Sequence, residues 1–114
     1  MSDCLFCGII DGRVKAKVVY RDDAVVAFND IKPRAPVHIL IIPRKHIVSV
    51  LDIEPNDSAL IGQIFQVAAR LAHEHGIAES GFRVVVNAGP DAGQSVFHLH
   101  YHLLGGRQMG WPPG

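Results

Sequence analysis

From Phe97 to Leu103 the chain alternates apolar and histidine side chains without a break: Phe97-His98-Leu99-His100-Tyr101-His102-Leu103. A period of two marks a β-strand, because successive side chains leave a strand on opposite faces. Phe97, Leu99, Tyr101 and Leu103 are therefore expected to share a face packed on a core, with His98, His100 and His102 aligned on the other. One such strand cannot stand alone. It demands a sheet beside it and a layer over its apolar face.

The remaining sequence supplies both. Residues 18–21 and 24–29 read as strands joined tightly at Asp22-Asp23, and residues 37–43 as a third, apolar on both faces and so central. Pro33 and Pro36 confine 32–36 to a loop, since proline has no N–H for a ladder. Leu60, Ile64, Val67, Ala68 and Leu71 recur at helical spacing, which predicts a long helix over 56–75 that Gly76 terminates. Strands over 82–87 and 95–104 follow, separated by the small-residue loop 88–93. A short helix through Leu5-Phe6 and Ile9-Ile10 is expected at the start, capped by Asp3 and stopped at Gly12. The expected fold is α+β: a five-stranded, mainly antiparallel sheet with one long helix and a short N-terminal helix. At 114 residues the chain suits one domain over 1–114, and residues 105–114 hold too much glycine and proline for either element.

A formal net charge of zero argues against a general binder of nucleic acid or of anionic membrane surfaces. The strongest apolar run, 37–43, is interrupted by His38 and falls well short of the roughly 18 residues a bilayer crossing needs. The N-terminal residues lack a signal-peptide profile, so the expected location is cytoplasmic. Cys4 and Cys7 are too close to staple a fold; such a C-x-x-C reads as half a zinc site or a redox pair.

A lone strand histidine is commonly structural, but three in register on one face point to chemistry. Successive same-face residues on a straight strand rise about 6.6 Å, so the outer pair would stand roughly 13 Å apart. With zinc–nitrogen bonds of about 2 Å, two neighbouring imidazoles can share an ion and three cannot easily converge. The row should divide its labour. Upstream, Gly93-Gln94-Ser95 offers flexible backbone N–H groups and a hydroxyl, the makings of an anion site beside the histidines. A neutral imidazole attacks phosphorus well near pH 7, and its adduct is labile to water.

His98-Leu99-His100-Tyr101-His102-Leu103-Leu104 matches the His-φ-His-φ-His-φ-φ signature of the histidine-triad superfamily, φ being apolar. Phe28-Asn29-Asp30-Ile31, Ala35-Pro36-Val37-His38, Ile42-Pro43-Arg44-Lys45-His46, Val86-Asn87, Gly93-Gln94-Ser95 and the ending through Trp111-Pro112-Pro113-Gly114 extend the match. Together they resemble the Hint branch of that superfamily. The resemblance implies a homodimer whose two sheets join into one. It also implies hydrolysis of purine nucleoside 5′-phosphoramidates such as AMP-NH2 and AMP-lysine, and of aminoacyl-adenylate-like compounds, through a covalent nucleotidyl-histidine. Dinucleoside-polyphosphate hydrolysis, or a nucleotide- or zinc-binding adaptor role with vestigial catalysis, are the alternatives. The Trp-Pro-Pro-Gly ending favours Hint over the first, and the intact histidines favour catalysis over the second.

Carried over residue by residue, the resemblance makes His100 the nucleophile, with His102 contacting phosphate and assisting proton transfer to the leaving amine. It places Asn87, Gly93 and Ser95 on the α-phosphate with Gln94 alongside, Asp30 on the ribose hydroxyls, and Phe28 and Ile31 around the base. His38 falls near the nucleophile, and Trp111, with the tail 105–114, would reach the second protomer's site. Asn29, Arg34, Ala92 and Gly110 depart from residues frequent in relatives, where leaving-group preference could be tuned. Relatives that carry such cysteines pair them with two histidines around zinc, and the matching positions are His46 and His98. Two cysteines and two histidines would close a tetrahedral, structural site. His73 and His75 are expected at the exposed end of the long helix, where positive charge suits the dipole.

Overall fold

The computed structural model, which describes residues 4–114, centres on the run that is apolar on both faces, β3 (Val37–Pro43). Around it lie β1 (Val18–Arg21), β2 (Val25–Asn29), β4 (Phe82–Val86) and β5 (Tyr101–Gly105). They form one five-stranded sheet of order β1-β2-β3-β5-β4, antiparallel throughout.

Period two sorts the central strands into two cores. Val25 and Ala27 of β2, Ile39 and Ile41 of β3, and Tyr101 and Leu103 of β5 face α2 (Ser58–Glu74), whose Ile64, Val67, Ala68 and Leu71 complete the larger core. Val26, Phe28, Leu40 and Ile42 take the opposite face, where Phe6 and Ile9 of α1 (Leu5–Ile10) cover them. His102 of β5, paired with Leu40, belongs to this second face, and Phe6 also meets His98 and His100 just ahead of the strand. α1 therefore builds a wall beside them.

A 3₁₀ turn (Pro55–Asp57), held by the Glu54 N–H donating to Asp57 Oδ2 at 3.0 Å and the Asp57 N–H donating to the Glu54 carbonyl at 2.8 Å, leads into α2, and Gly76 at φ +73° ends it. His73 and His75 are exposed at that end, and His75 Nδ1 bonds the Leu71 carbonyl at 3.0 Å. The cap of α1 is Cys4, whose sulfur accepts the Cys7 N–H at 3.3 Å; Asp3, the expected cap, lies outside the described residues. Among the described residues no helix is long and apolar enough to cross a membrane.

One departure matters for function. The last strand was expected over 95–104, but β5 begins only at Tyr101. Residues 94–99 are claimed elsewhere: Gln94 Nε2 donates to the Val48 and Val96 carbonyls, and the Leu99 N–H donates to the Ile47 carbonyl at 2.6 Å. The resulting bend at 96–98 turns Phe97 away from the core it was expected to join, and it is 62% exposed. At the other strands the sequence bounds hold within one residue, β2 starting at Val25 and β4 ending at Val86.

Candidate active site and metal centre

β3 carries His38 and β5 carries His102, and the segment ahead of β5 adds His98 and His100. Leu40 pairs with His102 and His38 with Leu104, so His38 and His102 are diagonal neighbours. The main-chain N–H of Arg34 donates to His38 Nδ1 at 3.0 Å, which puts that ring's proton on Nε2. His38 Nε2–H in turn donates to His102 Nδ1 at 2.9 Å, leaving the His102 proton on its own Nε2. Asp30 Oδ2 lies 3.4 Å from His38 Nε2, while its Oδ1 accepts the Lys32 N–H at 2.8 Å. Asp30 is thus partly committed rather than a free carboxylate at a strand end. These three side chains could also bracket a cation. A metal on His38 Nε2, however, needs a proton on Nδ1, where the Arg34 N–H already points. The geometry favours a hydrogen-bonded relay.

Burial dominates the titration of both rings. It lowers His38 below the ordinary histidine range, with Arg34 adding to the effect and Asp30 opposing it. His102 is pushed down to about 4 by burial, then by neighbouring His100 and His38, again against Asp30. Both rings are neutral near pH 7.

His100 is arranged differently. Its Nδ1–H donates to the His98 carbonyl at 2.8 Å, which leaves the lone pair on Nε2. Phe6 meets the ring edge-on, centroids 5.1 Å apart at 85°, and the His102 ring lies 5.1 Å away at 61°. His100 and His102 open into a cleft of ≈ 300 Å³ whose apolar wall includes Phe6, Ile9, Phe28 and Ile31, with Asp30 and Ser95 at its edge. A second, more polar cleft of ≈ 440 Å³ shares Asp30, Ser95 and His102 and adds Lys32, Arg34, His38 and Asn87.

His98 turns to the other end of α1. Its Nε2–H donates to the Pro43 carbonyl at 2.8 Å, so Nδ1 carries the lone pair. That Nδ1 stands 3.4 Å from Cys4 Sγ and 3.7 Å from Cys7 Sγ, and His46 Nδ1 is 3.4 Å from Cys7 Sγ. With zinc bonds of about 2.3 Å to sulfur and 2.05 Å to nitrogen, a tetrahedron has S···N edges of about 3.6 Å. The donor set and its spacing fit zinc. All four ligating atoms lie within 4.8 Å of one another. The histidine row therefore does divide, His98 to the cysteines and His100 with His102 to the clefts, but the bend separates them rather than the length of a straight strand.

A domain model of known proteins matches residues 11–109, the HIT domain. The chain belongs to the HIT family. A HIT family hydrolase from Legionella pneumophila has the same fold at a TM-score of 0.96 and 50% identity, covering 97% of this chain and 99% of that one. A histidine triad protein from Clostridium difficile superposes at 0.93 with 44% identity, covering 96% of each. In sequence, a 14 kDa zinc-binding protein of Brassica juncea is 46% identical over 114 residues, 98% of this chain and all of the relative.

The other residues that the resemblance singles out lie differently with respect to the two clefts. Ser95 is exposed and touches both clefts, and Asn87 follows β4 into the second. Gly93 takes φ +81°, open only to glycine at low cost, and turns the chain ahead of Ser95. Gln94 is buried with its amide committed to the Val48 and Val96 carbonyls and its carbonyl to the Gly89 N–H, so it braces the loop from within. Ile31 is 89% exposed at the cleft rim. Trp111, 82% exposed, lies on this chain's own Arg83, whose guanidinium is 5.7 Å from the ring and also bonds the Gly110 carbonyl. Sequence reasoning missed Phe6, Ile9 and the Arg34 main chain. The apolar spacing of Phe6 and Ile9 could have disclosed the first two; a backbone donor has no residue signature.

Proposed function

We propose that this HIT protein hydrolyses purine nucleoside 5′-phosphoramidates and related aminoacyl adenylates through a nucleotidyl-His100 intermediate, as the Hint branch does. The observation that carries this reading is the His100 tautomer: its Nδ1–H is held by the His98 carbonyl and its Nε2 lone pair is left for attack. The base rests against Phe6, Phe28 and Ile31, Asp30 takes the ribose hydroxyls, and Ser95, Asn87 and the Gly93 loop take the α-phosphate. Attack by Nε2 on phosphorus breaks the P–N bond; the neutral His102 donates its Nε2–H as a hydrogen bond to the departing nitrogen, which takes a proton from solvent and leaves as the amine. The His98 carbonyl stabilises the positive charge that grows on the His100 ring. Water then attacks the phosphoryl-imidazole, loses its proton to solvent, and releases the nucleoside monophosphate and the neutral His100 ring.

Cys4, Cys7, His46 and His98 would hold one zinc ion, closed to substrate, which when bound supplies no chemistry beyond pinning α1 to the sheet. The working assembly is a homodimer, and the location cytoplasmic.

Turnover of an AMP phosphoramidate should exceed that of diadenosine polyphosphates by orders of magnitude. Acid-quenched wild-type enzyme should carry a nucleotide adduct that His100→Ala lacks. That variant should lose more than about a hundredfold in kcat while keeping nucleotide affinity. Residual activity above about a tenth of wild type removes His100 from the role.

A further inference from the structure

The two clefts are not equivalent for a displacement at phosphorus. In an in-line reaction the leaving group departs opposite the attacking atom. His100 lines the first cleft and is absent from the second, whereas His102, whose Nε2–H would face the departing nitrogen, lines both. With the nucleoside against Phe6 and Phe28 in the first, the leaving group has the second to enter.

The second cleft carries an excess of positive charge. Lys32 and Arg34 line it against one carboxylate, Asp30, which is already turned to His38 and the Lys32 N–H. Arg34 projects from a fixed stretch of backbone: its N–H is bound to His38 Nδ1 and its carbonyl accepts the Arg107 Nε–H at 2.9 Å. Its charge is felt at the relay itself, where it helps to lower the His38 pKa. With zero formal net charge on the chain as a whole, this is a local feature rather than a general one.

We infer that the second cleft is the leaving-group subsite and that Lys32 and Arg34 make it selective for leaving groups bearing a carboxylate or a phosphate. The inference rests on the reaction proposed above and names the class of amine that the substrate carries. A cationic amine such as lysine meets two like charges there; an aspartate or a phosphorylated amine meets two opposite ones. An exposed charge pair of this kind changes affinity about five-fold, and two together more.

The test uses four adenosine 5′-phosphoramidates, built on aspartate, phosphoethanolamine, a neutral alkylamine and lysine amide, assayed for kcat/KM with the intact protein. The expected order is anionic above neutral above cationic, with about a five- to twenty-fold span at low salt that closes toward one in ~0.5 M salt. Arg34→Gln and Lys32→Gln should each compress the anionic-to-cationic ratio about five-fold, whatever happens to the absolute rate. The aspartate and phosphoethanolamine arms separately show which anion the subsite prefers. A wild-type ratio near one, a lysine preference, or equal losses on all four substrates in both variants overturns the subsite assignment. Equal losses would mean that the cations serve the α-phosphate alone. The salt series on wild type reads the same ratio if a variant fails to fold. No turnover of even the neutral phosphoramidate removes the proposed reaction, and the subsite with it; turnover with a flat ratio removes the subsite only.

Discussion

His102 sits between a donor on one ring nitrogen and open cleft on the other, and burial holds it neutral with a pKa near 4. A free histidine titrates near 6.5, so between about 6.5 and 4 the unfolded chain binds protons that the folded chain refuses. Stability contributed by the neutral ring is complete above pH ~6.5 and is lost as pH falls toward 4, with a slope of up to about 1.4 kcal/mol per pH unit for one proton. His38, lowered by the same burial, adds in the same direction. Denaturant midpoints of wild type and His102→Gln, compared from pH 8 to 4, should diverge from the neutral-pH difference only below ~6.5. In that range the wild type should lose stability faster. Parallel curves would mean that His102 is not held neutral. At this scale the sequence is only partly legible. The row of histidines announces itself, but their tautomers depend on the Arg34 N–H, which any residue but proline would supply, and on the His98 and Pro43 carbonyls, which any residue would supply.

Among the elements, α1 links the two centres. It has six residues, far fewer than the ~12–15 an isolated helix needs, and its cap is the cysteine sulfur itself. Phe6 on this helix touches Phe28 at 5.4 Å, His98 at 5.9 Å and His100 at 5.1 Å, so the wall of the first cleft and His100 share one side chain with the cysteine cluster. Protein purified without chelator should contain about one zinc per protomer by elemental analysis. Removing it, or making the Cys4→Ser/Cys7→Ser double variant, should lower the thermal midpoint by several degrees and weaken nucleotide binding, with a smaller loss of kcat than in His100→Ala. No metal in the purified protein, or an unchanged midpoint in the double variant, defeats the zinc assignment. The sheet and α2 can be read from the chain because burial on both faces keeps Val25 to Phe28 and Ile39 to Ile42 unbroken apolar runs and gives Ile64 to Leu71 a helical period. The bend at 96–98 cannot. Alternation continues unbroken through Phe97, and what ends the strand is competition from Gln94 and the Ile47 and Val48 carbonyls, partners more than 40 positions away.

On the scale of the whole molecule, the sheet ends in two open edges, β1 and β4, and the second of these carries exposed Phe82 and Val86. An apolar edge strand with unpaired backbone groups is a template for another strand unless something covers it. Close by, Arg83 of β4 bonds the Gly110 carbonyl and lies over Trp111, so the C-terminal tail is tied to that same edge while its indole remains exposed. A two-fold dimer through β4 would bury the edge, join the two sheets and carry each tail toward the other protomer. Trp111 would then find its cover against the partner's site, on the side where the leaving group departs. Sedimentation should therefore report a dimer. Deleting residues 110–114 should keep that dimer and leave nucleotide affinity within about two-fold, while changing relative kcat/KM among leaving groups by about ten-fold. The reason for the split is position: in the proposed reaction the base and ribose would meet Phe28 and Asp30 of the same chain, whereas the amine would leave toward the neighbour. Replacing Phe82 with a lysine tests the interface separately, since a charge on an edge strand opposes pairing without disturbing the antiparallel ladder to β5. A monomer in the wild type, or leaving-group selectivity untouched by the truncation, rules out a tail that completes the neighbouring site.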